Sequence, residues 1–242
     1  MTPSEPSSDP QSVDLPADLA SAEQSMMAAL GSALNSGDGT RWSAALRFEN
    51  LRVLPVALRL GRALLEVDPS LSILWPDAGA AALARRDASD LADRILDFRQ
   101  WMQRLGDQPS DGLLLAVMPQ PADYDEFEQV CTRHGGVTLM LNGRLEDAAV
   151  GIGSVARERR RGFVSSWRQA FWLEPIDGGA LMRCYPDDWR LYRLDDDGYR
   201  QVAVFNQRPG ADEISETLAG EGADSIKQQL GNVDRFLDGL RN

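Results

Sequence analysis

Leu71-Ser72-Ile73-Leu74-Trp75-Pro76-Asp77-Ala78-Gly79-Ala80-Ala81-Ala82-Leu83-Ala84-Arg85-Arg86-Asp87 is the stretch that decides the fold. Ser72 to Trp75 is an apolar run of strand length. Pro76 lacks a backbone donor and biases Trp75 towards an extended conformation, so a strand ends there. Asp77 is a good N-cap, because its carboxylate accepts from the unpaired N–H groups of a helix's first turn. From Ala78 to Ala84 only Leu83 is bulky, and a helix of that kind sits close against a sheet. A strand end feeding a helix start is the joint at which open α/β sheets bind ligands, and its N–H groups suit anions. Two readings of the joint stand side by side. One is an anion or nucleotide pocket around Asp77, Ala78 and Gly79; the other is a capped turn with no ligand. A single glycine falls short of a phosphate-binding fingerprint.

Outward from this stretch the same grammar repeats. Leu113 to Met118 is a continuous apolar run, hence a strand buried on both faces, and Pro119-Gln120-Pro121 stiffens its exit. Asp123 to Arg133 is a helix with acids in its first turn, matching the helix dipole. Gly135-Gly136 ends it, and Val137 to Leu141 is a further buried strand leading into Asn142-Gly143-Arg144. Upstream, Leu15 to Asp18 opens a long helix striped with Leu19, Met26, Met27, Leu30 and Leu34. Trp42 to Leu51 reads as a strand, Pro55 to Val67 as a helix, and Asp90 to Leu105 as a helix carrying Ile95, Phe98 and Trp101. Strands alternating with helices predict an α/β fold: a mixed, mostly parallel sheet with helices on both faces.

The pattern changes after Gly151. Val155 to Phe163 is a short basic helix. Ala170–Glu174, Ala180–Tyr185, Trp189–Arg193 and Arg200–Phe205 then read as short strands between Asp-Gly, Gly-Gly and Pro-Asp turns, an antiparallel C-terminal extension. Residues 1–14, rich in Ser and Pro, form an expected disordered tail. Residues 15–211 form the expected α/β domain, and 212–242 an amphipathic helical segment with Ile226, Leu230, Val233, Phe236 and Leu237.

Composition narrows the function. The chain has 242 residues, 43% of them hydrophobic, and a net charge of −12. That charge argues against non-specific binding to nucleic acid or to an anionic membrane. No run approaches the roughly 18 apolar residues of a transmembrane segment. The N-terminus has neither the basic flank nor the apolar core of a secretory signal. Cys131 and Cys184 lack metal-type spacing and suit a reducing cytoplasm. No GxSxG, HExxH or Walker-type loop is present, and neither a metal site nor a cofactor is expected. The single histidine, His134, sits at a helix C-terminus and reads as structural. Asp195-Asp196-Asp197-Gly198 reads as a solvated hairpin tip, lacking the spaced ligands of a cation loop. Arg157, Arg159, Arg160 and Arg161 are unusual in so acidic a chain. Arg157, Arg160 and Arg161 share a helix face, and with Asn142 and Arg144 they could line one rim beside Asp77. The alternative is that they pair with surface acids.

Several of these residues together form a known pattern. They are the Leu15-Pro16 helix start, Trp75 through Arg86, Val117-Met118-Pro119-Gln120, Leu141-Asn142-Gly143-Arg144, Arg157 through Phe163, and Cys184-Tyr185-Pro186 with Trp189. In them the chain resembles the DUF1995 family of cyanobacteria and chloroplasts, over roughly Leu15 to Gly220. Gly143 stands where relatives tend to have Pro. The family includes a plant assembly aid for photosystem II, and a related domain is fused to a chloroplast adenylate kinase. The resemblance implies a non-catalytic accessory, assembly or regulatory factor in a photosynthetic cell. Its partners would be proteins, photosystem assembly components among them, and it would act in a cyanobacterial cytoplasm or at the thylakoid surface. It supplies no catalytic residues. The alternative function is a binding or catalytic domain for a nucleotide or phosphorylated metabolite, using Asp77, Ala78, Gly79, Asn142, Arg144, Arg157 and Arg160.

Overall fold

Asp18 opens the first helix, Leu19–Ser36 (α1), through a capping box: its carboxylate accepts from the Ser21 N–H at 2.8 Å, and Ser21 Oγ accepts from the Asp18 N–H at 3.1 Å. Strand Arg41–Leu46 (β1) and helix Val53–Val67 (α2) follow, then Ser72–Trp75 (β2), Ala78–Asp87 (α3) and Ile95–Asp97 (β3). Next come Phe98–Leu105 (α4), Leu113–Val117 (β4), Tyr124–Arg133 (α5), Val137–Leu141 (β5) and Ser154–Ser165 (α6). The last strands are Arg168–Ile176 (β6), Gly179–Cys184 (β7), Trp189–Asp195 (β8) and Gly198–Phe205 (β9), and residues 211–220 are again helical. This computed structural model describes residues 14–106, 108, 110–145 and 154–220. The expected N-terminal tail, but for residue 14, and the segment beyond residue 220 lie outside them.

The chain divides into two compact units. The larger comprises Pro16–Glu174 with Arg183–Asp187. Its strands lie in the order β3-β2-β4-β5-β1-β6 and are all parallel. Helices cover both faces, as the alternation predicts. Ile73 of β2 faces α2, where a Cβ on Gly61 would lie 2.6 Å from Ile73 Cδ1, so the helix packs close against the strand at this glycine. The neighbouring Leu74 points the other way, into a core of Phe98, Trp101, Tyr124, Phe127 and Phe163 from α4, α5 and α6. Phe127 stacks on Phe98 at 5.4 Å and on Trp167 at 5.5 Å. α1 joins the α2 side, where Glu23 pairs with Arg59 at 2.5 Å.

In the smaller unit β7, β8 and β9 are antiparallel, with register Leu181↔Leu191 and Leu191↔Ala203. The Asp195-Asp196-Asp197-Gly198 tip joins β8 to β9. There Asp195 accepts from Arg193 at 2.6 Å, which holds its carboxyl below the ordinary carboxylate range.

One sequence expectation needs correction. Asp90–Leu105 is not one helix. It is a 3-10 turn over Ser89–Arg94, then β3, then α4. Ile95, Phe98 and Trp101 do share a helical spacing, but Asp97 caps α4 by accepting from the Gln100 N–H at 2.7 Å, so the helix begins after it. On its β1 side β6 runs parallel, with Trp42↔Arg168 and Ala44↔Phe171, a pairing that the short-strand pattern does not announce.

Candidate functional site

β1 and β5 are neighbours whose onward chains leave to opposite sides of the sheet, β1 into α2 and β5 towards α6. A parallel sheet opens a crevice at such a switch point. Here the crevice is a cleft of about 490 Å³. Its walls are the exits of β1 (Arg47 to Leu51), β4 (Met118 and Gln120) and β5 (Asn142 and Arg144), with Leu46 and Val53 below and Glu174 from β6.

The exits are held together by main-chain bonds that continue the sheet past its strands. Met118 N–H donates to Leu141 O at 2.8 Å, Asn142 N–H to Ala44 O at 2.9 Å, and Arg144 N–H to Pro119 O at 2.9 Å. Asn142 is buried, and its side chain ties two strands. Its Oδ1 accepts from Leu46 N–H at 2.7 Å and its Nδ2 donates to Leu46 O at 3.0 Å. A single amide thus satisfies the last donor and acceptor of β1. Arg47 Nη2 donates to Gly143 O at 2.7 Å, and the same guanidinium lies 4.8 Å above the Trp172 ring. Trp172 in turn donates to Glu174 at 3.0 Å.

The backbone here is unusual. Asn50, Met118 and Asn142 are the non-glycine residues with positive φ among those described, at 57°, 54° and 52°, and all three line this cleft. For an unbranched but bulky residue such as Met118 this is a costly conformation, and it directly precedes Pro119, which disfavours the right-handed helical alternative. Residues held in sparsely populated backbone regions concentrate at binding and catalytic sites.

The residues singled out by sequence separate in space. Asn142 and Arg144 line the cleft; Arg144 is exposed, and its guanidinium has no hydrogen-bond or ion-pair partner among the described residues. Asp77, Ala78 and Gly79 lie at the same edge of the sheet, at the end of β2, but do not line the cleft. The Asp77 carboxylate accepts from the N–H groups of Gly79 at 2.8 Å and Ala80 at 2.9 Å, so the chain's own carboxylate occupies the helix N-terminus that an anion would need. Arg160 sits 4.5 Å over the Tyr124 ring and reaches Asp125 at 3.3 Å, among the helices of one face. Arg157 lies on α6 with its side chain outside the described residues. The cleft also recruits Arg47, Glu49 and Asn50. The sequence hid them because Trp42 to Leu51 reads as one strand; Asn50, a residue that tolerates left-handed backbone, was the available signal.

His134 has partners that its sequence context did not reveal. Nε2 lies 3.2 Å from Gly112 O, which only accepts, so the neutral ring donates there and accepts from Ser110 Oγ through Nδ1 at 3.0 Å. Burial pushes its pKa below the ordinary value. Burial likewise pushes the Cys131 thiol up to about 12, and the Cys184 thiol donates to Ser25 O at 3.7 Å. Among the described residues, no group of His, Cys, Asp and Glu could hold a metal ion, and no helix is long and apolar enough to cross a membrane.

No curated protein matches the chain. The family model described as a domain of unknown function, DUF1995, matches residues 16–216, a span that contains the parallel sheet, the cleft and the antiparallel strands. The chain therefore belongs to the DUF1995 family.

Proposed function

We propose that the protein is a binding module for a small charged metabolite, held in the cleft where β1, β4 and β5 end. The observation that carries this reading is the coincidence of the three left-handed, non-glycine residues with the crevice at the switch point of the sheet. Arg144 addresses an anionic group, carboxylate or phosphate, with a guanidinium that no described residue engages. Among the described residues the walls of the cleft carry Arg, Glu, Asn and Gln side chains and no Ser, Cys or His, and binding rather than covalent chemistry is the role proposed. A thermal-shift series with nucleotides, sugar phosphates and carboxylates tests it. A ligand at 100 times its Kd stabilises by about 2.7 kcal/mol, and Arg144→Gln should remove the shift. No shift with any compound refutes the reading.

A second reading is an accessory or assembly factor in a photosynthetic cell, acting through protein contacts in the cytoplasm or at the thylakoid surface. Photosystem II assembly components would be its partners. It draws on the family and on three exposed apolar side chains of the smaller unit, Leu194 at 54%, Tyr199 at 50% and Val204 at 54%. Leu194 and Tyr199 are cross-strand partners. Single exposed hydrophobes are ordinary, and the pairing of two on adjacent strands is what supports reading a contact surface here. Capture of photosystem assembly components from a thylakoid-containing lysate by the wild type, lost in Leu194→Asp/Tyr199→Asp, supports it. Equal capture by both proteins, or none, counts against it.

A further inference from the structure

We infer that the ligand of the cleft is an amino-acid-type zwitterion with an apolar side chain, its carboxylate on Arg144 and its ammonium on Glu49. This rests on the cleft being a binding site and narrows what it takes. The polar side chains of the cleft fall into two groups. Asn142 is committed to Leu46, Arg47 to Gly143 O, Gln120 to Met118 O at 2.9 Å, and Glu174 to Trp172. Arg144, Glu49 and Asn50 are exposed and make no side-chain hydrogen bond or ion pair among the described residues. Arg144 and Glu49 therefore line one cleft with opposite charges and do not pair with each other.

The charge balance selects the ligand. Among the described residues the cleft carries Arg47 and Arg144 against Glu49 and Glu174, and these formal charges cancel. A polyphosphate brings several negative charges to a wall with no cationic excess and places some of them beside a carboxylate, which costs free energy at short range. A zwitterion meets both unpaired charges and leaves none of its own exposed. The Arg144 fork suits a carboxylate, and the Asn50 amide supplies a neutral donor or acceptor beside it. The remaining walls, Phe48, Leu51, Val53 and Met118, are apolar and receive an apolar side chain.

Isothermal titration of the full chain decides it. The probes are leucine, methionine and phenylalanine, their N-acetyl acids, their amides, and two phosphate esters, AMP and glucose 6-phosphate. At least one free amino acid is expected to bind, with roughly tenfold or greater weakening when either end is blocked. Glu49→Gln should erase the preference for the free amine while keeping the N-acetyl acid bound; Arg144→Gln should lose both. If an N-acetyl acid binds as well as its parent, or a phosphate ester binds more tightly, the zwitterion is overturned and the cleft remains a binding site. If nothing in the series binds, both fail.

Discussion

Replacing Asn142 by alanine should cost more stability than any other single truncation at the cleft. The side chain makes two bonds to the main chain of Leu46, a residue 1% exposed, so its loss strands one buried N–H and one buried C=O. Each orphaned group costs about 1–3 kcal/mol. Alanine held at φ 52° adds about 1 kcal/mol of backbone strain that asparagine tolerates better, for a sum of about 5 kcal/mol. At about 2–4 °C per kcal/mol for a domain of this size, Tm falls by roughly 10–20 °C. Asn142→Gly loses the same bonds without the strain and should melt above Asn142→Ala. Differential scanning calorimetry of the three proteins is the assay. If Asn142→Ala melts within about 2 °C of wild type, the equivalent of under 1 kcal/mol, the amide is not clamping the two strands.

Other substitutions have equally definite outcomes. Asp77→Ala should lower stability by about 1 kcal/mol through loss of the α3 cap, measured by chemical denaturation. In Gly136→Ala the new Cβ would lie 2.1 Å from Gly112 O, which is backbone and cannot swing away, so the variant should melt well below wild type. Gly31→Ala has open space within α1 and should gain about 0.5–1 kcal/mol. His134 has a folded pKa below its unfolded value near 6.5, so the unfolded chain binds the proton more readily. Its contribution is present above pH 6.5 and is lost as pH falls through the folded pKa. As the single histidine in the chain, it should account for the Tm slope between about pH 7 and 5, and His134→Gln should flatten that slope. Cys131, buried and with its thiol pushed up to about 12, should resist a thiol reagent at pH 8 until the chain unfolds.

Where local chemistry sets local structure, the sequence is explicit. Pro76 and Asp77 mark the end of β2 and the start of α3 because a missing donor and a capping carboxylate act within a few residues. Leu113–Val117 and Val137–Leu141 declare themselves buried strands because parallel strands covered on both faces carry no polar alternation. β3 escapes because three residues are too few for a period, and Ile95 keeps helical step with Phe98. The pairing of β6 with β1 escapes because direction is decided by residues far apart in the chain. The site divides similarly. Asn142 and Arg144 are visible as the exit of a buried strand. That the Asp77 carboxylate fills its own helix terminus, and that Glu49 and Asn50 line the same cleft as Arg144, are facts of three-dimensional closure.

The strand order also constrains how this protein is made. β1 leaves the ribosome well before either of its neighbours: Arg41 waits for Thr138 and Trp42 for Arg168. Until those strands follow, β1 has two raw edges and nothing to zip against, the condition that invites aggregation or a chaperone. A nascent chain stalled before Arg168 would carry most of its hydrophobic strands and still lack the last plank beside β1. Premature termination should therefore give insoluble product rather than a shortened but folded protein.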